Sequence, residues 1–174
     1  MSTATLWFDT FNTPIGMLTV AADAQGLRHL LFPENRHETK GREHWQRDAA
    51  PVAEARRQLL EYFDGQRTVF DLSLAPAGTE FQVQVWQTLA EIPFGAIWSY
   101  AELARRVNRP KAVRAVGAAN GRNPLPIILP CHRVIGADGS LTGFWGGLPT
   151  KAALLRLEKA PVLAAMRQEG DLFA

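Results

Sequence analysis

Residues 99–120 read SYAELARRVNRPKAVRAVGAAN, and this stretch decides the fold of the second half of the chain. Ser99-Tyr100-Ala101-Glu102 has the pattern of a capping box, which predicts a short helix that ends near Val107. Asn108-Arg109-Pro110 predicts a tight turn, and Pro110 suits the first position of a second helix from Lys111 to about Asn120. Two helices joined by so short a turn are typical of a helix-turn-helix.

The second of these helices is rich in small and β-branched side chains: Ala112, Val113, Ala115, Val116, Ala118 and Ala119. Small side chains would let the helix backbone lie close to a DNA groove. They would equally allow close packing inside a helical bundle, so the composition leaves both interpretations open.

The charge around this segment is uneven. The whole chain carries 19 basic and 17 acidic groups, a net charge of 19 − 17 = +2. Between Ser99 and Arg133, however, Glu102 alone faces a set of cations: Arg105, Arg106, Arg109, Lys111, Arg114, Arg122 and Arg133. Such a local excess can bind phosphates. On charge alone, a solvated basic helix face is the simpler interpretation.

The rest of the chain predicts an α+β organisation. Before residue 79, short strands are expected at 6–8, 17–20, 27–32 and 69–74, with a loop at 33–48 and a helix from Pro51 that Gly65 stops. Ala75-Pro76-Ala77-Gly78 reads as a linker. A second capping box, Thr79-Glu80-Phe81-Gln82, then begins a helix to Ala90.

Composition narrows the class of protein. With 47% apolar and 21% charged residues, the chain is not intrinsically disordered. No apolar run approaches the roughly 20 residues of a membrane span, and the N-terminus has no secretory signal pattern. A single cysteine forms no internal disulfide, and with four scattered histidines it predicts no zinc site. We therefore expect a protein of the reducing cytoplasm.

The residues with chemical potential lie between Asn123 and Val134. A lone cysteine is commonly a buried small hydrophobe. Cys131, however, follows Pro130 and precedes His132 and Arg133, so a base and a cation are both in reach. Such surroundings favour the thiolate, because a free cysteine with a pKa of about 8.5 is mostly protonated at neutral pH.

Glu158 supplies a third element. It lies in a predicted helix from Pro149 to Lys159, on a face that is otherwise apolar. A carboxylate there is either buried with a partner, for which His132 is the candidate, or pairs at the surface with Arg156 or Lys159. With His132 as partner, the three residues form a nucleophile–base–orienter arrangement.

Pro130-Cys131-His132-Arg133-Val134 resembles the signature of the O6-alkylguanine-DNA alkyltransferases, the methylated-DNA–protein-cysteine methyltransferases. Further segments match the family in order and spacing: 81–86, Ser99-Tyr100, 111–117, Asn123-Pro124 and 143–158. The resemblance is dense over residues 79–160 and looks closest to the bacterial constitutive type. It implies an RNase H-like N-terminal domain, residues 1–78, followed by a winged helix-turn-helix domain, residues 79–174.

The resemblance also implies roles for the site residues. Cys131 would accept the alkyl group, His132 would act through a water as the base, and Glu158 would orient His132. Tyr100 would donate a hydrogen bond or proton to guanine N3. Arg114 would fill the gap left by the flipped nucleotide.

The remaining roles concern substrate and DNA contacts. Asn123 would brace the active-site turn, the carbonyls of Cys131 and Val134 would read the guanine amino group, and the N–H of Trp145 would contact O6. Lys151 matches a lysine of the family's active-site loop. Further DNA contacts are expected from Lys111, Ala112, Val113 and Arg122.

The implied reaction is irreversible transfer of an alkyl group from O6-alkylguanine, and from O4-alkylthymine, to Cys131. It acts once per chain and needs no metal or other cofactor. The implied partner is double-stranded DNA that contains the alkylated base. The protein is expected to bind it as a monomer and to have no membrane partner, and cooperative binding on DNA is left open.

Each supporting residue also has a simpler explanation. Tyr100 can pack on Trp98, Arg114 can be one more phosphate contact, and Asn123 can merely shape a turn. Trp145 departs from the family, which usually has a small residue there. Its indole is expected to reshape the pocket rim and the accepted alkyl size, or else to point to solvent or pack on the neighbouring domain.

Three other functions compete. A non-catalytic lesion binder on the same scaffold would lack the acceptor cysteine, which is present here. A transcriptional regulator would leave Cys131, His132 and Glu158 unexplained. A cysteine hydrolase would need an oxyanion hole and would turn over. The stoichiometry of alkyl transfer separates all of these.

Overall fold

The N-terminal half, described over residues 5–35 and 39–78, is built on a four-stranded sheet. The computed structural model describes residues 5–35, 39–136, 144 and 146–161. Strands β1 (Trp7–Thr13), β2 (Gly16–Asp23) and β3 (Gly26–Leu31) form antiparallel hairpins, and β4 (Gln46–Arg47) completes the order β3-β2-β1-β4. The three predicted strands at the start of the chain are confirmed.

Both hairpin turns are held by side chains at the predicted positions. Thr13 Oγ1 donates to the carbonyl of Gly16 at 2.7 Å, and Gly16 has a left-handed φ of 103°. Asp23 Oδ1 accepts from the N–H of Gln25 at 2.8 Å. These local bonds set the register that buries Leu18 and Val20.

Two predictions in this half are wrong. The expected loop at 33–48 contains β4, which pairs in parallel with β1 at the sheet edge. Residues 69–74, all of which the structure describes, do not form the expected strand; their one β-bridge joins Leu74 to Leu27. The amide side chain of Gln58 instead bonds both backbone groups of Asp71, at 2.9 Å each. Beside Leu74, the N–H of Leu27 donates to the carbonyl of Ser73 at 2.9 Å, and the carbonyl of Leu27 accepts from the N–H of Ala75 at 2.8 Å.

The predicted helix from Pro51 is confirmed. A 3-10 turn, Ala50–Val52, leads into α1 (Ala53–Phe63), and the chain leaves it through Gly65 at a φ of 78°. Leu59 and Tyr62 of α1 are buried against the sheet and the C-terminal half.

The C-terminal half, described over residues 79–136, 144 and 146–161, is mainly helical. It contains α2 (Glu80–Leu89), α3 (Tyr100–Arg106), α4 (Val113–Asn120) and α5 (Leu148–Leu157), with β5 (Trp98–Ser99) parallel to β6 (Val134–Ile135). The capping box at Thr79 is complete, with Thr79 and Gln82 bonding each other's backbone N–H at 3.1 and 3.0 Å.

The helix-turn-helix differs from its prediction in two details. Ser99 Oγ accepts from the N–H of Glu102 at 3.1 Å, but the Glu102 carboxylate turns to Arg105 and Arg106. Helix α4 begins at Val113 rather than Lys111, because Ala112 has a non-helical φ of −105° and ψ of 37°.

The two halves share one continuous hydrophobic core. The N–H of Leu30 on β3 donates to the carbonyl of Pro124 at 2.9 Å, and Phe32 packs on Phe144 with ring centroids 5.4 Å apart. The boundary after residue 78 stays a prediction. Within the described part of the chain, no helix is both long and apolar enough to cross a membrane.

Candidate active site

Cys131 begins a short 3-10 turn, Cys131–Arg133, that leads directly into β6. The turn before it is fixed by the buried side chain of Asn123. Its Nδ2 donates to the carbonyl of Leu129 at 2.7 Å, and its Oδ1 accepts from the N–H of Leu125 at 2.9 Å. Ile127 in the same turn has a left-handed φ of 73°, a conformation that a β-branched residue rarely adopts. The surrounding bonds thus hold a strained loop next to the thiol.

Glu158, at the end of α5, is buried and accepts hydrogen bonds from three side chains. His132 Nε2 lies 2.7 Å from Glu158 Oε2, and Arg133 contacts the two carboxylate oxygens at 2.7 and 3.0 Å. The hydroxyl of Tyr62 in α1 also donates to Oε2. Glu158 is 2% exposed. The structure therefore places this carboxylate in the interior with His132, not in a surface ion pair.

These contacts set the protonation states. Burial opposes ionisation of Glu158, but His132 and Arg133 outweigh it and lower the pKa of the carboxyl to about 2. Burial lowers the pKa of His132, although Glu158 acts in the opposite direction. A neutral imidazole beside a carboxylate donates from Nε2, which leaves Nδ1 as the acceptor. This buried Nδ1 has no hydrogen-bond partner among the described residues.

The thiol itself is held in its protonated form. Burial raises the pKa of Cys131 to about 11, while the hydrogen bond with Asn123 and the charge of Lys151 act against this rise. The thiolate therefore forms only when a base removes the proton during the reaction.

Its position in the sequence predicts that Arg133 is the cation that acts on Cys131, and this prediction is wrong. Arg133 is turned away, to Glu158 and to the carbonyl of Ile92 at 2.6 Å. Lys151 of α5 takes this place; it is buried, and its Nζ donates to the carbonyl of Val134 at 2.6 Å. Burial lowers the pKa of Lys151 to about 8.

Tyr100 is the first residue of α3, the first helix of the helix-turn-helix. It directly follows β5, whose residues Trp98 and Ser99 pair with Val134 and Ile135 of β6. Its ring packs against α4, since a Cβ added at Gly117 would lie 3.5 Å from Tyr100 Cδ1. The parallel pairing thus brings Tyr100 to the segment that follows Cys131.

Helix α4 presents one outer face of small and basic side chains. Its exposed residues are Arg114, Ala115 and Ala118, with exposed Lys111 before the helix and Arg122 after it. Ala112 and Val113 are half-buried, whereas Val116 and Ala119 are in the core. The alanines therefore fit both interpretations: Ala119 packs in the core, whereas Ala115 and Ala118 leave the outer face of the helix open.

Phe144 and Gly146, the described residues on either side of Trp145, contact the N-terminal half. Phe144 is buried against Phe32, and a Cβ added at Gly146 would lie 2.9 Å from the Phe32 ring. Trp145 itself lies outside the described residues, so its effect on alkyl size stays a prediction.

Sequence reasoning missed Tyr62 and the partner of Arg133. Tyr62 is 96 positions from Glu158, and no motif or spacing links the two. Arg133 carried a signal as a member of the Pro130–Val134 signature and as the expected cation beside Cys131, but nothing in the sequence pointed to Glu158 as its partner.

Comparison with known proteins assigns both halves of the chain. Residues 6–76 match the family model of the 6-O-methylguanine DNA methyltransferase ribonuclease-like domain, and residues 80–160 match that of its DNA binding domain. A methylated-DNA–protein-cysteine methyltransferase of Methanosarcina acetivorans is 46% identical, over 88% of this chain and 98% of its own.

Solved structures agree. The crystal structure of the Mycobacterium tuberculosis O6-methylguanine methyltransferase matches at a TM-score of 0.83 and 46% identity, over 89% of this chain and 93% of that one. The Mycobacterium tuberculosis OGT in complex with DNA matches at a TM-score of 0.82 and 45% identity, over 92% and 99%. The predicted two-part fold, ribonuclease-like and then DNA-binding, is confirmed, and the chain belongs to the methylated-DNA–protein-cysteine methyltransferase family.

Proposed function

We propose that this protein repairs DNA by moving the alkyl group of O6-alkylguanine onto Sγ of Cys131, once per chain. The observation that carries the proposal is the buried chain of contacts from Glu158 to His132. Glu158 fixes Nε2 as the donor, and this leaves the buried Nδ1 of His132, the residue that follows Cys131, as an acceptor that can serve as the base.

The reaction is a displacement at the alkyl carbon. His132 Nδ1 takes the thiol proton through a water, the S–C bond forms, and the C–O bond to guanine breaks. The hydroxyl of Tyr100 donates a proton to guanine N3, so guanine leaves as a neutral base. The proton that His132 has taken then returns the Tyr100 phenolate to its neutral form through water. The net change is the loss of one proton from Cys131 and the gain of one by guanine, and no cofactor enters the step.

The burial of Cys131 determines when its thiolate forms. Because burial keeps the thiol protonated at rest, charge develops on sulfur only as the reaction begins. Lys151, fixed by its bond to Val134, lies where it stabilises that charge. The thioether product is not hydrolysed under mild conditions, which makes the protein a single-turnover reagent.

The substrate base must leave the duplex to reach this site, at a cost of a few kcal/mol. In the proposal, Arg114 fills the gap, and Lys111 and Arg122 contact phosphates beside the small side chains of α4, including Ala112 and Val113. The carbonyls of Cys131 and Val134 read the guanine amino group. They already accept bonds from the N–H of Val134 and from Lys151, so the guanine would use their second lone pairs.

The proposal extends to O4-alkylthymine as a second substrate, to a monomer as the form that binds double-stranded DNA, and to the cytoplasm as its location. A reducing compartment would keep the single thiol of Cys131 free to react.

Counting transferred groups tests the proposal. An excess of duplex DNA that contains labelled O6-methylguanine is incubated separately with the wild-type protein and with the Cys131→Ser variant. We expect one label per wild-type chain and none on the variant, while both bind DNA equally. No transfer by wild type would indicate a lesion binder or a regulator, and many turnovers would indicate a hydrolase.

A further inference from the structure

Tyr62 connects the N-terminal half to the acceptor site. It lies near the end of α1 and is 1% exposed. Its hydroxyl donates to Oε2 of Glu158, the same oxygen that contacts His132 Nε2. The contact joins a residue of the ribonuclease-like domain to the carboxylate that orients the proposed base.

The ring of Tyr62 is held by aromatic neighbours from both halves. Phe63 and Phe70 of the N-terminal half lie 5.2 and 5.5 Å away between ring centroids, and Phe94 of the C-terminal half lies 6.2 Å away, edge to face. Phe94 in turn lies 5.8 Å from the guanidinium of Arg133. This packing holds the Tyr62 ring in the position from which its hydroxyl donates to Glu158.

We propose that Tyr62 is a positioning residue for alkyl transfer: its hydroxyl fixes the Glu158 carboxylate against His132, and so makes the ribonuclease-like domain part of the acceptor site. The inference rests on the proposed function. A buried carboxylate needs all its donors, because each one missing leaves a lone pair without water or protein to bond.

The hydroxyl also affects the proton affinity of His132. The groups that face His132 are Glu158, Arg133 and Lys151, with Cys131 adjacent. Burial and the Glu158 charge raise the pKa of Tyr62, so its hydroxyl remains a donor throughout the working range. Without it, the negative charge on Oε2 is less compensated and attracts a proton to His132 more strongly. The pKa of His132 then rises.

The test compares wild type with Tyr62→Phe, which removes the hydroxyl alone, and with Phe70→Leu, which disturbs the same aromatic cluster but keeps the hydroxyl. The readouts are the NMR titration of the His132 ring in unreacted protein, the pH profile of single-turnover transfer, and the melting temperature. For Tyr62→Phe we expect a higher His132 pKa, an acid limb of the rate profile moved to higher pH, and transfer about tenfold slower at neutral pH.

Phe70→Leu is expected to lower the melting temperature and to leave the His132 titration where it is in wild type. The inference is overturned if Tyr62→Phe titrates and reacts like wild type, or if Phe70→Leu shifts His132 equally. Absence of transfer by wild type would instead refute the proposed function. The His132 titration is measured without substrate, so it still decides whether Tyr62 positions Glu158.

Discussion

At the scale of single residues, the partners of one carboxylate determine what the site can do. Glu158 neutralises Arg133 in the interior and selects the tautomer of His132. Removing one member of such a buried pair leaves the other charge without compensation, which costs more than the pair itself contributes. Glu158 therefore supports both the fold and the chemistry.

We expect Glu158→Gln to lower the free energy of unfolding at neutral pH by about 3–5 kcal/mol, because Arg133 then stays buried without a countercharge. The folded-state pKa of Glu158, about 2, lies below its ordinary value of 4.5. The stabilisation is therefore present above pH 4.5 and is lost as the pH falls toward 2. The difference between wild type and variant should shrink over that window.

Urea unfolding at several pH values measures this difference, with the exposed Glu91→Gln as the matched control. A stability gap for Glu158→Gln that stays constant from pH 7 to pH 2 would contradict the buried ion pair.

Lys151 allows a separate test of the thiol. We expect Lys151→Met to raise the pKa of Cys131, because the cation that opposes the effect of burial is gone. The rate at which iodoacetamide modifies Cys131, the single cysteine, should fall roughly tenfold at a fixed pH, the equivalent of about one pKa unit. Lys159→Met, at the exposed end of the same segment, is the control and should react like wild type. Equal rates for all three proteins would show that Lys151 does not influence the ionisation of Cys131.

At the scale of the elements, helix α4 carries the exposed small and basic residues that we propose face DNA, and Tyr100 packs against the same helix at Gly117. Arg114 is exposed on α4 and Arg122 is exposed just after it, yet the proposal gives them different tasks. Arg114 substitutes for a flipped base, whereas Arg122 contacts phosphate.

We expect Arg114→Ala to slow repair of duplex DNA more than reaction with free O6-benzylguanine, because only the duplex requires a base to be held out of the stack. Arg122→Ala should weaken DNA binding, with its loss in rate recovered at saturating DNA. Single-turnover rates on both substrates make the comparison. Losses for Arg114→Ala of equal size on the two substrates would contradict its role in base flipping. A loss on duplex DNA alone that saturating DNA recovers, as for Arg122→Ala, would show that it is one more phosphate contact.

The elements also show what the sequence could predict. Helices with caps, such as that at Thr79, were predictable because the bonds lie within a few residues of each other. The segment 69–74 had the alternation of a strand, but its backbone partners are the side chain of Gln58 and one bridge to β3. β4 is a strand only because β1 offers it an edge. Such long-range pairing leaves no local pattern.

At the scale of the whole molecule, the N-terminal half is more than a spacer. Leu30, Phe32 and Tyr62 each contact a different part of the C-terminal half: the turn before Cys131, the segment around residue 146, and Glu158. The nucleophile, base and carboxylate could be proposed from the sequence, because motif and helix spacing place them. The support from the other half could not, since it depends on how the two domains pack.

The central claim is that Cys131 is the acceptor, and the position of the transferred group tests it most directly. Protein is reacted with excess duplex that contains O6-methylguanine, digested, and mapped by peptide mass. We expect one methyl group per chain, on the peptide that contains Cys131, with no further addition on longer incubation. A methyl group on any other residue, or repaired DNA alongside unmodified Cys131, would contradict it.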